Sequence, residues 1–136
     1  MGVLAEVRIP IASDADIVTA RGRGISLCEE MGFSPSERTL VATAISEVAR
    51  NIVTFAQHGE IVVSPIIRNG TRGVQIVARD GGPGISDLEL AMRDGYSTGG
   101  GLGLGLPGAR RLMDEFEIES EVGKGTIITM KKLKAR

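Results

Sequence analysis

Ser97-Thr98-Gly99-Gly100-Gly101-Leu102-Gly103-Leu104-Gly105-Leu106-Pro107-Gly108 is the stretch whose reading decides the fold. A flexible loop is the alternative reading, and glycine and serine alone would favour it. Here leucines recur at 102, 104 and 106, and each needs a surface to pack on. The tract leads into a helix expected over about 107–114. Glycines that enter a helix N-terminus expose backbone N–H groups to an anion, and phosphate oxygens suit them. Of the 19 glycines in 136 residues, ten fall between Gly81 and Gly108.

Familiar phosphate loops do not account for the tract. No G-x-x-x-x-G-K-[ST] occurs, which excludes a P-loop. Gly103, Gly105 and Gly108 match G-x-G-x-x-G, but they follow a long loop rather than an N-terminal parallel strand, and Pro107 interrupts the match. The eukaryotic kinase set fails as well, because there is no Val-Ala-Ile-Lys strand and no His-Arg-Asp loop.

Two segments upstream carry chemistry of their own. Asp80-Gly81-Gly82-Pro83-Gly84-Ile85 directly follows an expected strand. A carboxylate at a strand end can accept from an exocyclic amine while glycines allow close backbone approach. A tight turn with a capping aspartate fits the same residues. Further back, Glu47-Val48-Ala49-Arg50-Asn51 lies in a long helix. Glu47 and Asn51 are four apart, so they share a face off the apolar stripe. Such a pair joins a proton acceptor to an oxygen ligand for a hard cation. An exposed polar helix face is the alternative.

The remaining pattern is that of an α/β two-layer sandwich, with a mostly antiparallel sheet and helices on one face. Leu4 to Ile9 reads as a short strand closed by Pro10. Ser13 and Asp14 are N-cap candidates for a helix to about Met31, with Ile17, Ala20, Gly24, Leu27 (or Cys28) and Met31 inward and Gly32 as its stop. Ser34-Pro35-Ser36-Glu37 opens the second helix, whose core stripe is Val41, Ile45, Val48, Ile52 and Phe55. Strands at 60–67 and 73–78 turn at Asn69-Gly70. A short helical piece is expected near Asp87 to Met92. The chain closes with a hairpin, 117–121 and 126–133, turning at Gly123-Lys124-Gly125. Nothing separates these parts, so one domain over 1–136 is expected.

Composition narrows the function classes. Apolar residues make up 42% and charged residues 24%, the balance of a globular domain. Sixteen basic against 17 acidic residues give a net charge of -1, which argues against a nucleic-acid backbone binder. The aromatics are Phe33, Phe55, Tyr96 and Phe116, too few for a base-stacking platform. Lone Cys28 excludes an internal disulfide and fits a reducing cytoplasm. Lone His58 reads as a loop histidine rather than part of a triad. No apolar run approaches the ~20 residues that cross a bilayer, and the N-terminus, with its glutamate, does not read as a signal peptide.

Taken in order, the glycine tract and its companions resemble the Bergerat ATP site of the GHKL superfamily (gyrase, Hsp90, histidine kinases and MutL). Glu47 to Asn51 resembles its N box, Asp80-x-Gly82-x-Gly84 its G1 box, Gly101 to Leu106 its G2 box, and Gly125-Thr126 the element before the closing strand. The resemblance covers about residues 4–133. The chain's compactness and the lack of a phosphoacceptor histidine in its N-terminal third single out the small serine-protein kinases of bacterial partner-switching pathways. Ala44-Ile45-Ser46-Glu47-Val48-Ala49-Arg50-Asn51 and Gly105 to Phe116 are similar to the RsbT switch-kinase type of stressosome systems. The anti-sigma kinases (SpoIIAB and RsbW type) are near relatives.

The resemblance implies roles residue by residue. Asp80 would bind the adenine amino group of ATP or ADP, with Thr126 nearby and Gly82 and Gly84 clearing the backbone. Asn51 would ligate Mg²⁺. Backbone N–H groups of Gly101, Leu102, Gly103, Leu104, Gly105 and Leu106 would hold phosphate oxygens, and Glu47 would be the general base. Arg50, three residues after Glu47, borders the same face and would reach a phosphate or the incoming serine loop, with a solvated helix arginine as the alternative. Thr98 would touch the nucleotide from a lid that Gly99-Gly100-Gly101 makes mobile. The implied substrate is a serine on a small STAS-domain antagonist (RsbS-like). The other partners would be a STAS-containing stressosome scaffold (RsbR-like) and a downstream regulator, with no nucleic acid and no membrane. An anti-sigma kinase that also sequesters a sigma factor, or an ATP-sensing module without catalysis, are the alternatives.

Overall fold

The computed structural model describes residues 6–84 and 105–135. They form β1 (Val7–Ile11), α1 (Asp14–Glu30), α2 (Pro35–Phe55), β2 (Gly59–Arg68), β3 (Thr71–Asp80), α3 (Gly105–Leu112), β4 (Glu115–Glu121) and β5 (Gly125–Leu133). The five strands make one sheet in the order β1-β2-β3-β5-β4, and all four pairings are antiparallel. Strand alternation sends Ile9, Ile61, Val63, Val74, Ile76, Ile128 and Met130 to one face. There they join Ile17 and Leu27 of α1, Val41, Ile45, Val48 and Ile52 of α2, and Leu106 and Ala109 of α3 in a single core. Each fully buried Ile or Val contributes about 1.5–3 kcal/mol, so this one-sided layer fixes which ends of the strands the helices overhang.

Local signals place the element ends. Asn69 and Gly70 both have positive φ, 51° and 80°, as a two-residue hairpin turn requires. Pro10 does not close the first strand as expected but lies inside it, opposite Glu60. A missing N–H is tolerated there because β1 is an edge. The other edge, β4, carries Glu115, Glu117, Glu119 and Glu121 at alternate positions, charges that discourage a further strand from pairing. Helix α3 begins two residues earlier than the glycine spacing suggested. Phe55, expected in the core stripe of α2, is 45% exposed. One turn earlier Ile52 already packs on Gly59, in the last row of the sheet, so no strand remains to cover Phe55. The helical piece expected at 87–92 lies outside the described residues.

Helix α2, which carries the polar face, is anchored at its start. Ser34 Oγ accepts from the Glu37 N–H (3.2 Å) and Glu37 Oε1 accepts from the Ser34 N–H (2.9 Å), a complete capping box with Pro35 at the first position. Glu37 Oε2 also accepts from the Ala135 N–H at 2.6 Å, tying the end of the chain to α2. Burial works to raise the pKa of this carboxyl. The N–H groups of Ser34 and Ala135, the Ser34 hydroxyl and Lys132 outweigh it, so the pKa falls below its ordinary 4.5. A depressed carboxyl stabilises the fold above its unfolded pKa and loses that contribution as pH falls through the folded value. Glu37→Ala is expected to cost about 1 kcal/mol at neutral pH. The gap from wild type should shrink once acid protonates Glu37. Urea unfolding at pH 7 and pH 3.5 checks this, and an equal gap at both would refute it.

Candidate nucleotide site

This architecture places the described candidate residues in two clusters. The first is set by sheet register. Asp80, the last residue of β3, lies directly opposite Gly59 on one side and Thr126 on the other, and Thr126 lies opposite Ser120. Thr126 is 4% exposed, and its hydroxyl is 2.9 Å from that of Ser120. Asp80 Oδ1 accepts from the Gly82 N–H at 3.0 Å, so the turn-capping aspartate envisaged from the sequence is real. That bond uses only part of the carboxylate's capacity, since an ionised carboxylate has about four acceptor sites. Ser120 is a residue the sequence reading missed. The hairpin turn at 123–125 contained the signal, because its register pairs Ser120 with Thr126.

Glycines let these backbones close up. Gly125 has φ +112°, and a Cβ there would sit 2.1 Å from the Asp80 carbonyl oxygen. Gly84 has φ +78°, and its Cβ would sit 2.4 Å from the Glu121 carbonyl oxygen. The Gly123 N–H completes the junction by donating to the Pro83 carbonyl at 2.9 Å. The loop after β3 is therefore held against the β4–β5 turn by backbone contacts that any side chain would block. A cavity of about 690 Å³ opens at these strand ends, lined by Asp80, Gly81, Gly125, Thr126 and Ser120 and, from the far side of the sheet, by Glu60, Arg79 and Glu119. Its volume is in the range of small-molecule sites.

The second cluster lies on α2, outside the lining of that cavity. Glu47 is 7% exposed, so the polar-face residue is nearly buried rather than solvated. Its Oε2 accepts from the Gly105 N–H at 3.0 Å, across 58 residues of sequence. Gly105 has φ +56° and is the first residue of α3. A buried carboxylate thus meets the positive end of a helix, an arrangement favourable to its charge. Asn51, half-buried, follows one turn along the same face. Arg50 is also half-buried, and its Nε is buried without a hydrogen-bond partner among the described residues.

Other candidates fall away. Among the described residues no group of three or more His, Cys, Asp or Glu could hold a metal ion. Burial pushes the Cys28 thiol up to about 11, so it is no thiolate nucleophile near neutrality. His58 is exposed in the α2–β2 loop. Thr98, Gly101, Leu102, Gly103 and Leu104 lie outside the described residues, as does the lid. Of the expected phosphate-binding tract, Gly105 and Leu106 are placed, at the entry of α3.

The described residues thus hold an Asp-x-Gly-x-Gly turn capped by Asp80 and a buried glutamate on α2 that meets the first residue of α3. Residues 11–132 match the family of histidine kinase-like ATPase domains. The chain belongs to that family. Serine/threonine-protein kinase RsbT of Bacillus subtilis (strain 168) is 47% identical over 120 residues, covering 88% of this chain and 90% of that one. The anti-sigma F factor of Geobacillus stearothermophilus is 35% identical over 103 residues, covering 71% and 69%. Among solved structures, the RsbU and RsbW domains of a Mycobacterium tuberculosis protein align with TM-score 0.64 at 19% identity, over 96% of this chain and 33% of that one. The mycobacterial sensor histidine kinase MprB aligns with TM-score 0.55 at 15% identity. These two likenesses establish the histidine kinase-like ATPase fold, with its sheet backed by helices on one face.

Proposed function

We propose that this chain is an ATP-dependent serine-protein kinase that phosphorylates a small STAS-domain antagonist in a bacterial partner-switching pathway. The contact between Glu47 and the Gly105 N–H carries the reading, because it sets a buried carboxylate beside the helix entry that would receive phosphates. The likeness to RsbT supports the choice of a serine hydroxyl as acceptor.

Each residue then has a task. Asp80 accepts from the exocyclic amine of adenine, and Thr126, across the strand from it, offers its hydroxyl to the base. Gly82 and Gly84 keep side chains out of the base's path. The N–H groups from Gly101 to Leu106 bind phosphate oxygens, helped by the dipole of α3. Thr98 contacts the nucleotide from the lid. Asn51 fits a magnesium site of the usual kind, in which one or two protein oxygens share the ion with phosphates and water. When bound, the ion neutralises phosphate charge. Glu47 takes the proton from the serine Oγ as that oxygen attacks the γ-phosphorus and ADP departs. Phosphoryl transfer asks mainly for positioning and charge stabilisation, which a small site can supply.

Phosphorylation of the antagonist would release the kinase from a STAS-containing scaffold to activate a downstream regulator. These events belong in the cytoplasm, and no helix among the described residues is long and apolar enough to cross a membrane. The anti-sigma F factor relatives favour a second reading, a kinase that also sequesters a sigma factor. Incubation with γ-labelled ATP, Mg²⁺ and a STAS protein encoded beside it separates the two. Phosphoserine on that protein supports the switch kinase, nucleotide binding without transfer refutes it, and a stable sigma-factor complex favours the second reading.

Asp80→Asn tests the base end. The amide oxygen can still cap the Gly82 turn, but the charge-assisted bond to adenine is lost, so ADP affinity should fall about 10–100-fold. Calorimetric titration checks this, and unchanged affinity would remove Asp80 from the site.

A further inference from the structure

We propose that Arg50 is a phosphoryl-binding catalytic residue, donating from its guanidinium to the oxygens of the phosphoryl group in transfer; this rests on the nucleotide reading above. Three observations lead there. The Nε of Arg50 is buried and has no hydrogen-bond partner among the described residues. Arg50 forms no ion pair with a described residue, whereas Arg8, Arg68 and Arg79 each meet a carboxylate. Its position, three residues after Glu47 and adjacent to Asn51 on α2, puts it on the side of the helix whose glutamate reaches the entry of α3.

A buried N–H of a permanent cation is costly when nothing accepts from it. Glu47, the carboxylate on its own helix face, is already engaged by the Gly105 N–H. Among the described residues no acceptor is left for it, and a guanidinium fork matches the phosphoryl oxygens of a bound nucleotide. The position selects which phosphate. Asp80 and Thr126 mark the base end at the strand tips, and Glu47 marks the end where the serine proton is taken. Arg50 stands with Glu47, so it serves the terminal phosphate. As the serine Oγ–P bond forms and the bond to the ADP oxygen breaks, negative charge spreads over three equatorial oxygens. Arg50 donates to one of them, and the serine proton goes to Glu47.

This role predicts discrimination between nucleotides that a merely structural arginine would not give. Arg50→Met keeps a long apolar stem, and Arg50→Lys keeps the charge without the fork. Both variants should bind ADP as the wild type does, with an unshifted Tm. Affinity for the non-hydrolysable ATP analogue AMP-PNP should fall about tenfold in Arg50→Met. Phosphotransfer kcat should fall about 10²–10³-fold, the usual cost of removing one donor from a transition-state oxyanion. Arg50→Lys should recover AMP-PNP affinity but not the trapping of ADP with aluminium fluoride, a mimic of the planar phosphoryl group. Equal weakening of ADP and AMP-PNP, or no change in either, would overturn the assignment. A wild-type protein that binds neither nucleotide would instead overturn the nucleotide reading itself.

Discussion

Glu47→Gln is expected to slow phosphotransfer by about 10²–10⁴-fold, the range a positioned general base contributes, while nucleotide affinity stays at the wild-type level. Glutamine is the informative substitution because of what Glu47 touches. Its carboxylate accepts from the Gly105 N–H at 3.0 Å in a nearly buried setting. The amide oxygen of glutamine can take over that bond, so the link between α2 and α3 survives while proton acceptance is lost. Glu47→Ala confounds the two effects, since an orphaned buried N–H costs about 1–3 kcal/mol by itself. Single-turnover transfer from γ-labelled ATP, measured beside ADP binding, separates chemistry from assembly. Full transfer by Glu47→Gln would assign the base elsewhere.

Gly125→Ala is expected to lower stability by about 2–4 kcal/mol, among the larger single-residue costs. Two penalties coincide at this residue. Its φ of +112° lies where side chains rarely go, and a Cβ would stand 2.1 Å from the Asp80 carbonyl oxygen. Relief requires the start of β5 to draw away from the end of β3, which displaces Thr126 relative to Asp80. Nucleotide affinity should fall with stability, linking fold and site through one methyl group. Thermal unfolding, with a drop of roughly 10 °C, and ADP titration of the variant check both halves. Gly70→Ala provides the contrast, since that glycine shares a positive φ of 80° but has nothing within 4 Å of the added atom. It should cost less stability and leave ADP binding intact.

Much of the fold was legible because its determinants are local. The Ser34-Pro35-Ser36-Glu37 box starts α2 where the structure does, since a capping box needs only four consecutive residues. Asn69-Gly70 specifies its turn through the conformational preferences of two residues. The readings that missed depended on neighbours remote in sequence. Pro10 reads as a terminator until β1 is known to be an edge, and Phe55 fits the α2 period until the sheet is seen to end beneath Ile52.

The site divides in the same way. From residue types and spacing alone came the kinds of group this chain carries, with their nucleotide roles implied by the family resemblance: a carboxylate before glycines, a Glu-x-x-x-Asn face and a glycine tract entering a helix. Those follow from side-chain chemistry and helical period, which act over a few residues. Tertiary structure alone decided that Glu47 is buried against Gly105, that Ser120 pairs with Thr126, and that the Arg50 Nε is enclosed without an acceptor among the described residues. Each depends on strand register or on how α2 packs beside α3. Those are fixed by the shared core of sheet and helices, which brings together residues that the linear chain keeps dozens of positions apart.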